Sequence, residues 1–141
     1  MRQGHTLPEL AIALTIVGIV TSITVPAIAG VLDRLALERA ASRITTALAV
    51  ARSRAVLRAG RARLSITPDS LRIEELDDGW VTVARWPGPA SDGVTLSASN
   101  PVVTFDPIGL AWGLSNTTIQ LSRKSYSATI TTSRLGRVRR S

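Results

Sequence analysis

The sequence predicts an α+β protein: a long N-terminal helix, membrane-spanning in its first half and amphipathic in its second, packed on a small antiparallel β domain. Three observations carry this prediction. Leu10 to Leu32 form a run of 23 uncharged residues. As a helix, that run would extend roughly 35 Å, enough to cross a bilayer core. Beyond Asp33, apolar residues recur at helical spacing, at Leu37, Ala41, Ile44, Leu48, Ala51 and Ala55. From Arg61 onward the apolar period changes to two, and turn residues punctuate it.

Composition bounds the function. With 141 residues, 45% hydrophobic and 19% charged, the chain has one domain's worth of core-forming material. The absence of Cys excludes disulfides, thiolate metal sites and a cysteine nucleophile. The single histidine, His5, argues against a histidine-based triad or zinc cluster. Seventeen Lys and Arg against ten Asp and Glu give +7 and an isoelectric point near 11.5, which suits polyanions or anionic lipid. The mean hydropathy of +0.20, high for so basic a chain, comes from the N-terminal run.

Two export readings compete for that run. As a secretory signal peptide, Arg2 would supply the basic end and Ala27-Ile28-Ala29 before Gly30 the cleavage site. The run is, however, longer than the usual apolar region of about 7–15 residues, and Glu9 abuts its start. A carboxylate there is costly unless partnered. The charges also conflict with export: Arg34, Arg39 and Arg43 follow the run while Arg2 precedes it. By the positive-inside rule this would leave the C-terminal part in the cytoplasm.

The second reading rests on Gly4-His5-Thr6-Leu7-Pro8-Glu9-Leu10 before the apolar run. This resembles the N-terminus of type IV pilins and pseudopilins, G-F-T-L-x-E-L followed by an apolar helix. The resemblance implies that prepilin peptidase cuts after Gly4, so that residues 1–4 are a leader and His5 is the first, methylated, mature residue. It places the family's acidic residue on Glu9 and its helix-bending proline on Pro26. His5 stands where the family usually has Phe, and Pro8 sits in the first turn, where its missing N–H has no helical partner to lose. The motif outranks the charge count. Residues 5–32 are then a single inner-membrane or filament-core helix, with the C-terminal domain in the periplasm or outside the cell.

Glu9 has a physical role independent of the family. In a helix beginning at His5 it lies one turn along, where negative charge complements the helix dipole. Its partner is either within the same helix or, as the resemblance implies, the His5 amine of a neighbouring subunit, so that the charge is neutralised on assembly.

Residues 33–60 continue as an amphipathic helix. Its seam has heptad spacing, with Arg39, Arg43 and Arg54 opposite and Arg34, Arg52 and Arg58 at the margins. Gly60 is the expected C-cap, giving one gently bent helix from His5 to Ala59, roughly 80 Å long. The alternative is two helices broken near Gly30. Residues 61–141 form the β domain, with strands expected at 63–67, 71–76, 80–86, 94–98, 102–105, 117–122 and 126–132. The intervening turns are Thr67-Pro68-Asp69-Ser70, Asp77-Asp78-Gly79, Pro87-Gly88-Pro89 and Asn100-Pro101. So small a domain needs the helical seam to complete its core.

A second resemblance lies in Val103-Thr104-Phe105-Asp106-Pro107-Ile108-Gly109 and in Arg134-Leu135-Gly136-Arg137-Val138-Arg139. These are similar to the F-x-P-x-G and terminal G-R-x-R of the GspH/FimT branch of the pilin family. No acidic residue follows Asp106, whereas Arg123, Lys124, Arg134, Arg137, Arg139 and Arg140 do, giving +6 over the last 35 residues. One reading is a DNA site, with arginine forks on phosphates and the Gly136 turn allowing close approach. The other is a solvated basic tail.

Other candidates are weaker. The spacing of Glu74, Glu75, Asp77 and Asp78 does not match a calcium loop and reads as a solvated hairpin turn. Trp80 and Trp86 share strand parity, which predicts a common buried face rather than base stacking. No nucleophile elbow or other catalytic constellation is present, and no cofactor is implied. The resulting expectation is a non-catalytic minor pilin or pseudopilin. It would assemble with other pilins or pseudopilins of its filament, in a type II secretion pseudopilus or a type IV pilus, with prepilin peptidase and the lipid bilayer as further partners. The alternatives are a FimT-like minor pilin that binds DNA during uptake, and a secreted periplasmic binding protein cut after Ala29.

Overall fold

The computed structural model describes residues 6–113 and 117–141. The chain divides into two compact units, one ending at Asp33 and the other running from Arg34 to Ser141. One helix, α1 (Leu7–Leu57), belongs to both. The Thr6 carbonyl accepts the Leu10 N–H at 3.2 Å in its first turn, and His5, the expected start, lies outside the described residues. In the first unit the polar residues of α1 are turned inward on their own backbone. Thr15, Thr21 and Thr24 donate their hydroxyls to carbonyls four residues back, and Ser22 donates to the Ile19 carbonyl. These bonds leave an apolar surface without unpaired hydroxyl protons. The helix continues through Pro26.

The second unit holds nine strands among the described residues: β1 (Ala62–Ile66), β2 (Ser70–Leu76), β3 (Trp80–Pro87), β4 (Thr95–Ala98), β5 (Val102–Phe105), β6 (Ala111–Trp112), β7 (Thr117–Arg123), β8 (Tyr126–Thr132) and β9 (Val138–Arg140). They form two antiparallel sheets, one of order β3-β2-β1-β5-β6 and one of order β4-β7-β8-β9. All seven expected strands form. β6 and β9 are additional, and with two and three residues they are too short to show a period.

The C-terminal half of α1 packs on both sheets. All six seam residues are buried, joined by Ala40 and Ala47. Leu64, Leu71, Ile73, Phe105, Ile119, Leu121 and Ile130 meet them from the strands. Five of the residues on the buried stripe are alanines, Ala40, Ala41, Ala47, Ala51 and Ala55. Because Ala40 and Ala47 widen that stripe toward one flank, Arg43 and Arg54 are not opposite it as expected. They stand at its edge and bond into the β domain, Arg43 to Asp92 and Arg54 to Glu75, each at 2.8 Å.

α1 ends differently from the expectation at Gly60. The Gly60 N–H bonds to the Ala55 carbonyl at 3.1 Å and the Ala59 N–H to the Val56 carbonyl at 3.2 Å. This paired pattern places the left-handed residue at Ala59, whose φ is 49°. An alanine therefore occupies the position that favours glycine.

The two tryptophans of β3 also depart from expectation. Ile73 pairs with Ala84 but Glu74 pairs with Thr82, so Val83 is an extra residue and the strand is bulged there. Directly paired residues share a face. Trp86, opposite Leu71, faces the core, and Trp80, opposite Leu76, faces the other way. The bulge reverses the parity that the sequence spacing suggested.

Candidate functional site

The first unit presents its apolar side chains outward. Leu10, Ile12, Leu14, Ile16, Val17 and Ile19 are all at least half exposed, as are the large aliphatic residues from Val20 to Leu32. α1 is long and apolar enough to cross a membrane. Glu9 lies in its first turn and Pro26 within it. Gly4 and His5, the expected processing residues, lie outside the described residues.

The basic C-terminal residues are separated rather than gathered. Arg123 ends β7, and its guanidinium donates to the Asp92 carbonyl. Lys124 occupies the β7–β8 turn with φ 52°. Arg140 faces inward, opposite Ile130, and pairs with Glu38 of α1. Arg139 is opposite Thr131 on the outer face, and Arg137 lies two residues before it on that same face. Arg137 and Arg139 line, with Thr131, Ser133 and Ser141, a depression of about 440 Å³. Along β8, the Lys124 end is about 17 Å or more from this pair. Arg134 is exposed in the turn before β9, and its carbonyl accepts the Ala111 N–H.

Gly136 sets the position of the pair. Its φ is 68°, its N–H bonds to the Ser133 carbonyl at 2.9 Å, and its carbonyl accepts from Arg52 at 3.2 Å. A Cβ at this position would lie 2.6 Å from the Gly109 carbonyl oxygen. Both the backbone conformation and the space therefore require glycine. Of the expected basic set, the fold brings together Gly136, Arg137 and Arg139, turns Arg140 away, and places Arg123 and Lys124 elsewhere.

One polar cluster lies outside the sequence expectation. Glu74 is not part of a solvated turn. It is 7% exposed and accepts from Arg63 Nε at 2.6 Å and from Ser65 Oγ at 3.1 Å. The hydrogen bond from Arg63 holds its carboxyl below the usual glutamate range, with Ser65 and the nearby Arg72 adding to the effect and burial opposing it. The Arg63 guanidinium lies over the Trp80 ring, 4.2 Å from its centroid. Across the same sheet face Arg61 lies over Trp112 at 3.9 Å. Glu75, on the other face, bonds to Arg54. Only Asp77 and Asp78 of the acidic group remain in the exposed turn. The signal available in sequence was the cross-strand register of β1 and β2, which sets Arg63 opposite Glu74. Among the described residues no group of three or more potential ligands could hold a metal ion.

The residues that form most of the buried stripe of α1 and both sheets as far as the glycine turn are matched by a family model. The model for the type II transport protein GspH covers residues 40–136, more than half of the 141. The chain belongs to the GspH family. The GspH match begins within the buried stripe of α1 and ends at the Gly136 turn, so it spans both sheets up to β9. Two solved structures share the fold, both of the type IV minor pilin FimU from Pseudomonas aeruginosa strain PAO1, in crystals of space groups P21 and P65. Each is 19% identical to this chain; the alignments cover 75% and 74% of it and 88% and 92% of FimU, with TM-scores of 0.66 and 0.64. No curated protein matches significantly. Membership of GspH makes this chain a pilin-type structural subunit, of the kind that assembles with other pilin subunits.

Proposed function

We propose that the chain is a non-catalytic minor pilin or pseudopilin, cut by prepilin peptidase after Gly4 and assembled through its N-terminal helix into a type II secretion pseudopilus or a type IV pilus. The observation that carries this reading is the contrast between the two units. The second unit buries its own core entirely between Leu37 and Ile130. The first leaves an apolar surface uncovered, which only a bilayer or the helices of other subunits can host. Glu9 then stands at the start of the spanning segment, where the His5 amine of a neighbouring subunit neutralises it. Pro26 bends the helix within that segment, and the C-terminal domain lies outside the cytoplasm. Intact mass of the protein from its native membrane tests this. A chain lacking Met1 to Gly4 and carrying one methyl group is expected. A start at Gly30 would replace the reading with a secreted periplasmic binding protein.

A second reading, DNA capture by a FimT-like minor pilin, is favoured by one observation. Arg137 and Arg139 share an outer face with three hydroxyl residues in a cationic depression, a surface that suits phosphates. Titration of duplex DNA with the full chain in nonionic detergent, across a salt series, tests it. An R137A/R139A variant is expected to lower the salt slope by about 0.9 for each phosphate contact removed. Binding indifferent to these two arginines removes DNA from the function and leaves the secretion pseudopilus.

A further inference from the structure

A groove of about 740 Å³ runs between the last three turns of α1 and the segment from Gly136 to Arg139. Its floor is apolar: Leu48 is buried there, and Val56, Leu57 and Val138 are 48%, 80% and 36% exposed. Arg52, Arg137 and Arg139 stand around it, and its lining contains no carboxylate. An uncovered apolar floor with a cationic rim fits an apolar segment that carries negative charge.

The chain itself presents such a segment. The β2–β3 hairpin exposes Leu76 (40%) on the face it shares with Trp80 and Val81 (53%) on the face it shares with Glu75, flanking Asp77 and Asp78. The turn is closed by the Asp77 N–H on the Gly79 carbonyl at 2.9 Å. Among the described residues neither aspartate forms an ion pair, unlike Glu74 and Glu75 beside them. Hairpin and groove stand on opposite flanks of α1. Arg54 reaches Glu75 on the hairpin side and Arg52 reaches Gly136 on the groove side, and positions two apart on a helix are about 160° apart. The hairpin of a chain therefore cannot enter its own groove.

We propose that the β2–β3 hairpin of one copy docks edge-on in the α1–β9 groove of a second copy, with Leu76 and Val81, which project from its two faces, against the two apolar walls formed by α1 and by Val138, and Asp77 and Asp78 against Arg137 and Arg139. The contact joins two different surfaces, so each end of a pair keeps one surface free and association is head-to-tail, continuing past the dimer into a ring or an open chain. It brings subunits together through their β domains, independently of the N-terminal helix and of any nucleic acid.

The test uses the full chain in nanodiscs loaded with one copy each, which keeps the spanning helices of different copies apart. Sedimentation velocity at rising concentration is expected to show species growing beyond dimer at low salt and receding at high salt. D77K/D78K alone and R137E/R139E alone are each expected to weaken association at least tenfold. An equimolar mixture of the two variants should associate again, because every groove then meets a hairpin of opposite charge. All substituted side chains are exposed, and near-UV circular dichroism checks that the fold is kept. A wild-type chain that stays monomeric, a variant that associates as the wild type does, or a mixture that stays monomeric would each overturn the proposal. D77K/D78K keeps Arg137 and Arg139 and so does not lower the DNA salt slope, whereas R137A/R139A does if DNA binds there, so failure here is distinguishable from failure of the DNA reading.

Discussion

Replacing Glu74 by Gln tests whether a buried carboxylate organises the outer face of the five-stranded sheet. The carboxylate has two partners, Arg63 Nε at 2.6 Å and Ser65 Oγ at 3.1 Å, and Arg63 in turn lies on Trp80. Gln keeps the shape and accepts from Arg63 through its carbonyl, while its amide can donate to Ser65. What it loses is charge. Hydrogen bonds to charged groups contribute about 1.5–3 kcal/mol and neutral ones about 0.5–1.5, so E74Q is expected to cost about 1–2 kcal/mol at pH 7. The sign with pH follows from the lowered Glu74 pKa. Its contribution is complete above the unfolded value of about 4.3 and disappears as pH falls through the lower folded value. The gap between wild type and E74Q should therefore be constant from neutral pH to about pH 5 and close below about pH 4. Urea unfolding of the full chain in nonionic detergent, followed by tryptophan emission, measures both. Equal stability at pH 7, or a gap that persists in acid, refutes the reasoning.

Ala59 holds a left-handed backbone at the end of α1, so A59G should stabilise by about 0.5–1 kcal/mol, seen as a raised urea midpoint at unchanged slope. G88A should destabilise by about 2–3 kcal/mol: a Cβ there would lie 2.2 Å from the Pro68 carbonyl and 2.5 Å from the Ser70 nitrogen, both backbone atoms with no room to yield. A47L should cost about 1–3 kcal/mol by forcing a larger side chain between α1 and the sheets, where Ala47 is fully buried; thermal unfolding reads it. Deleting residues 1–32 should leave the domain's unfolding free energy within about 0.5 kcal/mol, because every described residue that is buried, Asp33 included, lies beyond that point. Loss of cooperative unfolding in that fragment would show that the first unit supports the second.

The parts of the fold legible in sequence are those with a strong period. The helical seam from Leu37 to Ala55 and the seven longer strands each contain enough residues for burial to impose a repeat. β6 and β9 contain two and three residues, and at that length pairing is decided by neighbours in space. The tryptophans show a different limit. Spacing within β3 is a valid guide to its faces only while the strand is regular, and one extra residue at Val83 inverts it. Glu74 shows a third. Read along the chain it belongs with Glu75, Asp77 and Asp78. Read across the sheet it belongs with Arg63 and Ser65, and that neighbourhood decides its burial. The candidate site was legible as composition, in the excess of arginine after Asp106, but the opposite directions of Arg139 and Arg140 follow from the register of β8 and β9.

That difference changes what the net charge means. Arg43, Arg54, Arg63 and Arg140 each face a carboxylate, of Asp92, Glu75, Glu74 and Glu38 respectively. These pairs fasten the helix to the β domain and β1 to β2, and such contacts add little to the long-range field. The positive charge available to a partner is therefore a local property of unpaired arginines. Arg137 and Arg139 differ from the others in how they are fixed. They follow a glycine whose left-handed conformation and contact with the Gly109 carbonyl admit no side chain, and they project from a strand anchored at its next residue by Arg140 on Glu38. A solvated basic tail needs neither constraint. The geometry that holds these two side chains beside an apolar groove is what a binding surface requires, and it recruits one arginine of the tail as an anchor to present the other two.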